Sequence, residues 1–171
     1  MTSYLRTPMR SSVPLNSERR DNGWIMTWNR VSFLDLGSYA TAPRTARWHT
    51  SNVLRDWGLE RHEEVTQLIV SELVTNSVLA AGARRWVEVP PVRLWLLGDS
   101  SRVLSLVWDA LPGTPLPRRA GEDDESGRGL FLVQQLSSAW GSYRPPSGYA
   151  PEHDGGKVTW AIVGTREGEK R

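Results

Sequence analysis

Two stretches of sequence decide the fold of this chain. They are HEEVTQLIVSELVTNSVLAA (residues 62–81), which is followed by Gly82, and VRLWLLGDSSRVLSLVW (residues 92–108). In the first stretch, apolar residues recur every three or four positions, which predicts a long amphipathic helix. In the second they alternate on both sides of a Gly-Asp-Ser-Ser turn, which predicts a β-hairpin. The apolar stripe of the predicted helix consists of Val65, Leu68, Ile69, Leu73 and Ala80, widened by Val70, Val74, Val78 and Ala81.

Weaker patterns on either side of this region predict the remaining elements. They are an edge strand at 31–36, a helix from Pro43 to Trp57, a helix from about Gly127 to Ala139, and short strands at 140–143 and 158–163. Helices and strands in this order favour an α+β fold. We expect a two-layer sandwich, in which helices cover one face of a mixed, mostly antiparallel sheet.

Length and composition exclude several classes of protein. The 171 residues suffice for one domain, expected at residues 25–163 between a flexible N-terminal tail (1–24) and a charged C-terminal tail (164–171). The absence of cysteine excludes a thiolate zinc site and a cysteine nucleophile. No apolar run is long enough for a bilayer and the first residues lack a secretory pattern, so we expect a cytoplasmic protein. The nine tryptophans are expected mainly in sheet and helix packing.

Glu72 and Asn76 are the first candidate functional residues. They lie about 40° apart around the predicted helix, on the side that also carries Ile69 and Leu73. A carboxylate in an apolar stripe costs several kcal/mol unless it is paired or reaches water. Two interpretations follow. Either Glu72 marks the boundary of the stripe and extends to solvent, or the two side chains point into a cleft, where their oxygens would suit Mg²⁺.

Asp109 ends the second strand of the predicted hairpin and precedes a loop rich in proline and glycine. An ionised carboxylate only accepts hydrogen bonds, so at the floor of a pocket it would accept from the amine of adenine. It would disfavour guanine, which presents a carbonyl there. The alternative is an ordinary aspartate that begins a turn.

A third candidate is the segment Glu125-Ser126-Gly127-Arg128-Gly129-Leu130, at the start of a predicted helix. Glycines permit close backbone approach, and the N–H groups of a helix start favour phosphate. The guanidinium of Arg128 adds further donors. The segment is neither a P-loop nor a dinucleotide-binding fingerprint.

The order of these motifs resembles the GHKL ATPase superfamily, which includes histidine kinases, gyrase-type ATPases and heat-shock chaperones. The residues that carry the resemblance are Ser71 to Asn76 (N box), Asp109 to Pro112 (first glycine box), Glu125 to Val133 (second glycine box), Trp140-Gly141, and Gly156 to Ala161. The similarity runs from about residue 42 to 163. It is greatest to the short, free-standing bacterial branch that contains the anti-sigma-factor serine kinases.

The resemblance implies a Bergerat-type ATP-binding fold with ATP and Mg²⁺ as cofactors. Asn76 would ligate the metal, and residues 110–126 would form a lid over the ATP. Glu72 would act as the catalytic base toward a serine hydroxyl of a protein partner, which is chemically consistent with phosphoryl transfer. The cofactor-binding residues implied are Asn76, Asp109, Gly127, Arg128, Gly129 and Leu130.

The partner implied is a sigma factor, an anti-anti-sigma factor or another transcription regulator, and a homodimer is compatible with the resemblance. We expect neither membrane binding nor direct nucleic-acid binding. A third interpretation, a tryptophan-rich nucleic-acid binder, would depend on residues 1–30.

The chain also departs from the family pattern. Leu79 and Ala80 follow the N box where the family usually has a basic residue and a histidine. Val158 stands where the closing strand commonly has threonine, and Thr159, one residue later, should point to the opposite face. These departures favour an alternative function, a catalytically degenerate, nucleotide-sensing module that binds a partner.

Overall fold

The computed structural model describes residues 28–86, 88–111, 128–145 and 155–164. The predicted N-terminal tail, the lid from residue 112 onward and the C-terminal tail beyond Gly164 lie outside these ranges, and so does Gly127.

The described residues form five strands and three α-helices, in the order that the sequence patterns predict. They are β1 (Arg30–Leu36), α1 (Ala42–Asp56), α2 (Glu63–Gly82), β2 (Val92–Gly98), β3 (Val103–Asp109), α3 (Arg128–Leu136), β4 (Ala139–Tyr143) and β5 (Lys157–Val163), with a 3₁₀ turn at Glu60–His62. The predicted end of α3 at Ala139 is wrong. The backbone N–H of Ser138 donates to the carbonyl of Ile162 in β5 (2.8 Å), so the chain leaves the helix and Ala139 begins β4.

The strands form one sheet in the order β1-β2-β3-β5-β4. All four pairings between the described strands are antiparallel, so the sheet is more uniform than the mostly antiparallel one expected. β1 lies at an edge, as predicted. The fold is α+β, with the helices packed against the sheet.

The two faces of the sheet bury different side chains. One face packs aliphatic residues against the helices, including Leu94, Leu96 and Val107. The other face carries a second cluster that contains Trp28, Trp95, Trp108 and Trp160. Most of the described tryptophans therefore pack on the sheet as expected, but Trp48 of α1 is 70% exposed and does not.

Helix α2 is the central helix of the core. Its buried side consists of Thr66, Ile69, Val70, Leu73, Val74, Ser77 and Ala81, with Ser71 beside them. Leu68, predicted to belong to the stripe, is 40% exposed, because the helix presents the adjacent Ile69 to the sheet instead. In the described part of the chain, the segment Glu60–Gly82 is long and apolar enough to be a candidate membrane span. Its buried apolar residues, among them Ile69, Leu73 and Val74, belong to this helix–sheet core.

Candidate functional site

The described site residues form two groups, and α2 contributes to both. Glu72 and Asn76 of α2 lie beside the first turn of α3. Ser77, next to Asn76 in sequence, reaches the end of β3 and contacts Asp109. The central helix therefore connects the part of the site that is predicted to bind phosphate with the part that is predicted to bind the adenine base.

Asp109 is buried at the end of β3, only 3% exposed, and both of its carboxylate oxygens are engaged. The hydroxyl of Ser77 donates to Oδ2 at 2.7 Å. Oδ1 accepts from the ammonium of Lys157 at 2.5 Å and from the backbone N–H of Leu111 at 3.0 Å. The bond to Leu111 is the contact of a turn-initiating aspartate. The other two come from distant elements and hold the carboxylate in the helix–sheet interface.

A glycine turn brings Lys157 to Asp109. The indole N–H of Trp108 donates to the carbonyl of Gly155 at 2.9 Å. Gly156 has a left-handed φ of +63°, and a Cβ there would overlap the carbonyl oxygen of Asp109. Only glycine permits this approach. The turn leads directly into β5, in which Lys157 lies opposite Asp109.

Lys157 is the residue that sequence reasoning missed. Its position is recognisable only in hindsight, from Gly155-Gly156 directly before the alternating pattern of β5. An interaction across 48 residues leaves no periodic signal in the sequence.

The face of Thr159 corrects the expectation drawn from the family pattern. Val158 and Thr159 do point to opposite faces, since Val158 packs with the tryptophan cluster. Thr159, however, pairs with Val107, a residue of the helix-facing core. Directly opposed residues share a face, so Thr159 lies on the same face as Asp109 and Lys157. The one-residue offset therefore does not remove a hydroxyl from this face.

Gly129 is fitted closely against Glu72 and Asn76. A Cβ on Gly129 would lie 2.5 Å from Oε2 of Glu72 and 3.5 Å from the Asn76 side-chain amide. Glu72 is partly buried, and its carboxylate lies near the N-terminal end of α3, which favours negative charge. Of the two interpretations of Glu72, this geometry fits a side chain that points toward a neighbouring element better than one that marks the stripe boundary.

The other predicted site residues are placed as follows. Arg128 begins α3, and Leu130, partly buried, packs against the helix-facing core. Leu79, which replaces a basic residue of the family pattern, is 63% exposed. The described residues contain no group of three or more His, Cys, Asp or Glu side chains able to hold a metal. Any Mg²⁺ would therefore rely on a small protein ligand set completed by phosphate oxygens and water, as Mg²⁺ sites often do.

Comparison with known proteins identifies the architecture. The family model described as "Histidine kinase-like ATPase domain" matches residues 38–159, well over half of the chain. The match includes Glu72, Asn76 and Asp109 and the segment around Gly129. A search of curated proteins finds no match. The chain belongs to the family of histidine kinase-like ATPase domains.

Proposed function

We propose that this chain binds ATP with Mg²⁺ between α2, the start of α3 and the end of β3, and acts as a regulatory serine/threonine protein kinase of the anti-sigma-factor type. Membership of the family implies ATP binding, usually with Mg²⁺. The observation that carries the proposal is the close approach of Gly129 to Glu72 and Asn76. It sets a carboxylate, an amide and the N-terminal end of a helix side by side.

The residues present fit the cofactor. The side-chain oxygen of Asn76 is a hard donor, the ligand type that Mg²⁺ prefers. Gly129 lets the backbone of α3 come close to Glu72 and Asn76, since a Cβ there would meet the Glu72 carboxylate. The N–H groups in the first turn of α3 have no partner within the helix and are suited to phosphate oxygens. When bound, Mg²⁺ would neutralise the charge of the phosphates.

Each residue has a chemical role in the proposed transfer. The carboxylate of Glu72 accepts the proton of a serine hydroxyl, the usual task of a carboxylate base in phosphoryl transfer. The side-chain amide oxygen of Asn76 would ligate Mg²⁺. Asp109, which Ser77 and Lys157 hold in place, contacts the adenine base of ATP. The first turn of α3, including Arg128 and Gly129, holds the phosphates.

The proposed partner is a transcription regulator that carries the target serine, either a sigma factor or an anti-anti-sigma factor. We place the protein in the cytoplasm, where ATP and such partners occur. The net charge of +2 gives no support to direct binding of nucleic acid.

ATP binding is tested by thermal unfolding of the full chain with and without ATP and Mg²⁺. At 100 times Kd, a ligand that binds only the folded state stabilises by about 2.7 kcal/mol. We expect this stabilisation in the wild type and its loss in Asn76→Ala. A wild-type chain whose unfolding temperature does not respond to saturating ATP would contradict the proposal.

Kinase activity is tested by incubation with ATP labelled on the γ-phosphate and purified anti-anti-sigma factors. Glu72→Gln should abolish transfer to serine but retain ATP binding, because it removes the base and keeps the shape. Glu64→Gln is the matched control, since Glu64 is an exposed residue of the same helix. Transfer that persists in Glu72→Gln would exclude Glu72 as the base.

The alternative function is a nucleotide-sensing module that binds a partner without phosphorylating it. The exposed Leu79, in place of a basic residue that could reach phosphate, favours it. It predicts that ATP changes the affinity for the partner while no label is transferred to serine.

A further inference from the structure

The Asp109 carboxylate is already engaged by donors of this chain. Lys157 and Leu111 donate to Oδ1, and Ser77 donates to Oδ2. Of these three donors, the ammonium of Lys157 is the charged one. A base that approaches Asp109 therefore meets a carboxylate–ammonium pair, and not a carboxylate alone.

Both members of the pair keep hydrogen-bonding capacity. An ammonium group has three N–H donors, and the contact with Asp109 uses one of them. A carboxylate has about four lone-pair positions, of which the three donors occupy three. The Lys157 side chain is 13% exposed, against 4% for Asp109, so the donor is the more accessible member. Together the two side chains offer an acceptor next to a cationic donor.

This combination changes which purines the site can accept. Adenine presents an exocyclic N–H donor next to a ring-nitrogen acceptor, whereas hypoxanthine presents a carbonyl acceptor next to a ring N–H donor. A lone carboxylate accepts from adenine but repels the carbonyl of a 6-oxo purine. In hydrogen-bond type the Asp109–Lys157 pair suits either edge: the carboxylate can take the N–H and the ammonium the acceptor of either base, with the base shifted because donor and acceptor exchange places.

We propose that Lys157 is a specificity-determining residue of the nucleotide site, which allows the site to take 6-oxo purine nucleotides as well as ATP. The inference rests on the proposed function, because it needs a nucleotide base at Asp109. It also departs from the selectivity expected of Asp109 from sequence alone. The charge of Lys157 stabilises the carbonyl of a 6-oxo purine that Asp109 would otherwise exclude.

The test measures Kd for ATP and for inosine triphosphate, with Mg²⁺, by calorimetry on the full chain. In the wild type, the two values should lie within about tenfold of each other, because both base edges are paired. In Lys157→Met, the ratio of the inosine triphosphate Kd to the ATP Kd should rise by about tenfold or more, since the carbonyl then has no donor. Lys157→Arg keeps a cationic donor and should keep the wild-type ratio.

Arg102→Met is the matched control. It removes the cation of an ion pair of similar length and burial, 2.6 Å from Asp99 with Arg102 13% exposed, in the hairpin turn before β3. It should destabilise the protein without changing the ratio of the two Kd values. Such a result separates base selection from a general effect of losing a buried ion pair.

The outcomes distinguish a failure of the proposed role of Lys157 from a failure of the proposed function. Equal ratios in the wild type and Lys157→Met, with ATP bound by both, would overturn the role of Lys157 and leave the proposed function intact. A wild type that binds inosine triphosphate more than about a hundredfold more weakly than ATP would do the same, even if Lys157→Met does not fold. A wild type that binds neither nucleotide would overturn the proposed function and this inference with it.

Discussion

One ion pair lies just before strand β3 and another at its end; they are similar in length and in the exposure of their cations, but their contacts reach different parts of the chain. Arg102 lies 2.6 Å from Asp99, and Lys157 lies 2.5 Å from Asp109. Within the described part of the chain, Asp99 takes its contacts from the next three residues, including the backbone N–H groups of Ser101 and Arg102. Asp109 takes its contacts from α2, from β5 and from the chain directly after it.

The difference shows what each carboxylate does for the protein. The Asp99 carboxylate holds the hairpin turn through its own neighbours, while the guanidinium of its partner Arg102 also lies 4.7 Å from the centroid of the Trp28 ring. The Asp109 pair joins three elements that are far apart in sequence, at the place where the candidate site lies. Although the two ion pairs are chemically similar, we therefore expect their removal to have different effects on folding and on nucleotide binding.

The largest effect is expected from Asp109→Asn. The change leaves the ammonium of Lys157 buried without its carboxylate, and breaking a buried pair from one side costs about 3–5 kcal/mol. ATP affinity should fall at least about tenfold, since the base loses its charged acceptor. Urea unfolding and calorimetry measure the two effects. The matched change Asp99→Asn should cost about 1–2 kcal/mol and leave ATP affinity unchanged. Equal losses in both variants would contradict the distinction between the two pairs.

The next largest effect is expected from Gly129→Ala, at the other end of the site. The new methyl group would lie 2.5 Å from Oε2 of Glu72, so α3 or the carboxylate must move. The Glu72 carboxylate is the end of a flexible side chain and can move aside, so the cost in stability should lie at the lower end of the about 1–3 kcal/mol typical of overpacking. ATP binding should weaken as well, because the first turn of α3 is displaced.

Gly82→Ala is its control, because a Cβ there meets nothing within 4 Å. Gly82 ends α2 without a left-handed φ, so alanine should be neutral or stabilise by about 0.4–1 kcal/mol. If Gly129→Ala is as well tolerated as Gly82→Ala in both stability and ATP binding, α3 does not depend on the close approach to Glu72.

The two regions also differ in how far the sequence predicts them. The hairpin around Asp99 follows from alternation and a turn signal within a dozen residues, and the structure confirms it. The positions of Glu72, Asn76 and Asp109 on α2 and β3 follow from the same local patterns. These patterns are local because helix and strand periods repeat over a few residues.

Other features depend on packing between distant elements, and local patterns do not reveal them. Lys157 meets Asp109 because the antiparallel pairing of β3 with β5 places the two residues opposite each other, directly after the Gly155-Gly156 turn. The same register decides that Thr159, and not Val158, faces the helices. Leu68 is left exposed because the orientation of α2 is set by its contacts with α1, α3 and the sheet together.

A smaller effect is expected from Ser77→Ala. The change removes the neutral donor to Oδ2 of Asp109 and keeps Lys157, so it should cost about 1 kcal/mol. ATP affinity should change less than in Asp109→Asn. Ser101→Ala is the counterpart at the other carboxylate, where the hydroxyl lies 3.4 Å from Oδ1 of Asp99, and its effect should be smaller still. A Ser77→Ala protein as stable as Ser101→Ala would indicate that the bond from α2 does not hold Asp109 in place.

The smallest effect concerns the acid limb of stability at Asp99. Burial raises the pKa of Asp99, but hydrogen bonds from the N–H of Ser101 and from Arg102 outweigh it, so the pKa lies below its ordinary value of 3.8. The folded state then holds the proton less tightly than the unfolded state, and stability falls as the pH falls. The contribution is complete above pH 3.8 and is lost as the pH falls through the lower pKa of the folded state.

Thermal unfolding between about pH 5 and pH 2.5 measures this loss, and Asp99→Asn should show a shallower decline than the wild type. Since the described contacts of Asp99 lie within its own turn, the difference should involve the unfolding temperature and not ATP affinity at neutral pH. Identical acid profiles in the two proteins would mean that the turn does not depend on the charge of Asp99. In that case the ion pair of Asp99 would not stabilise the hairpin. Asp99 and Asp109 would then differ only in how far along the chain their contacts extend.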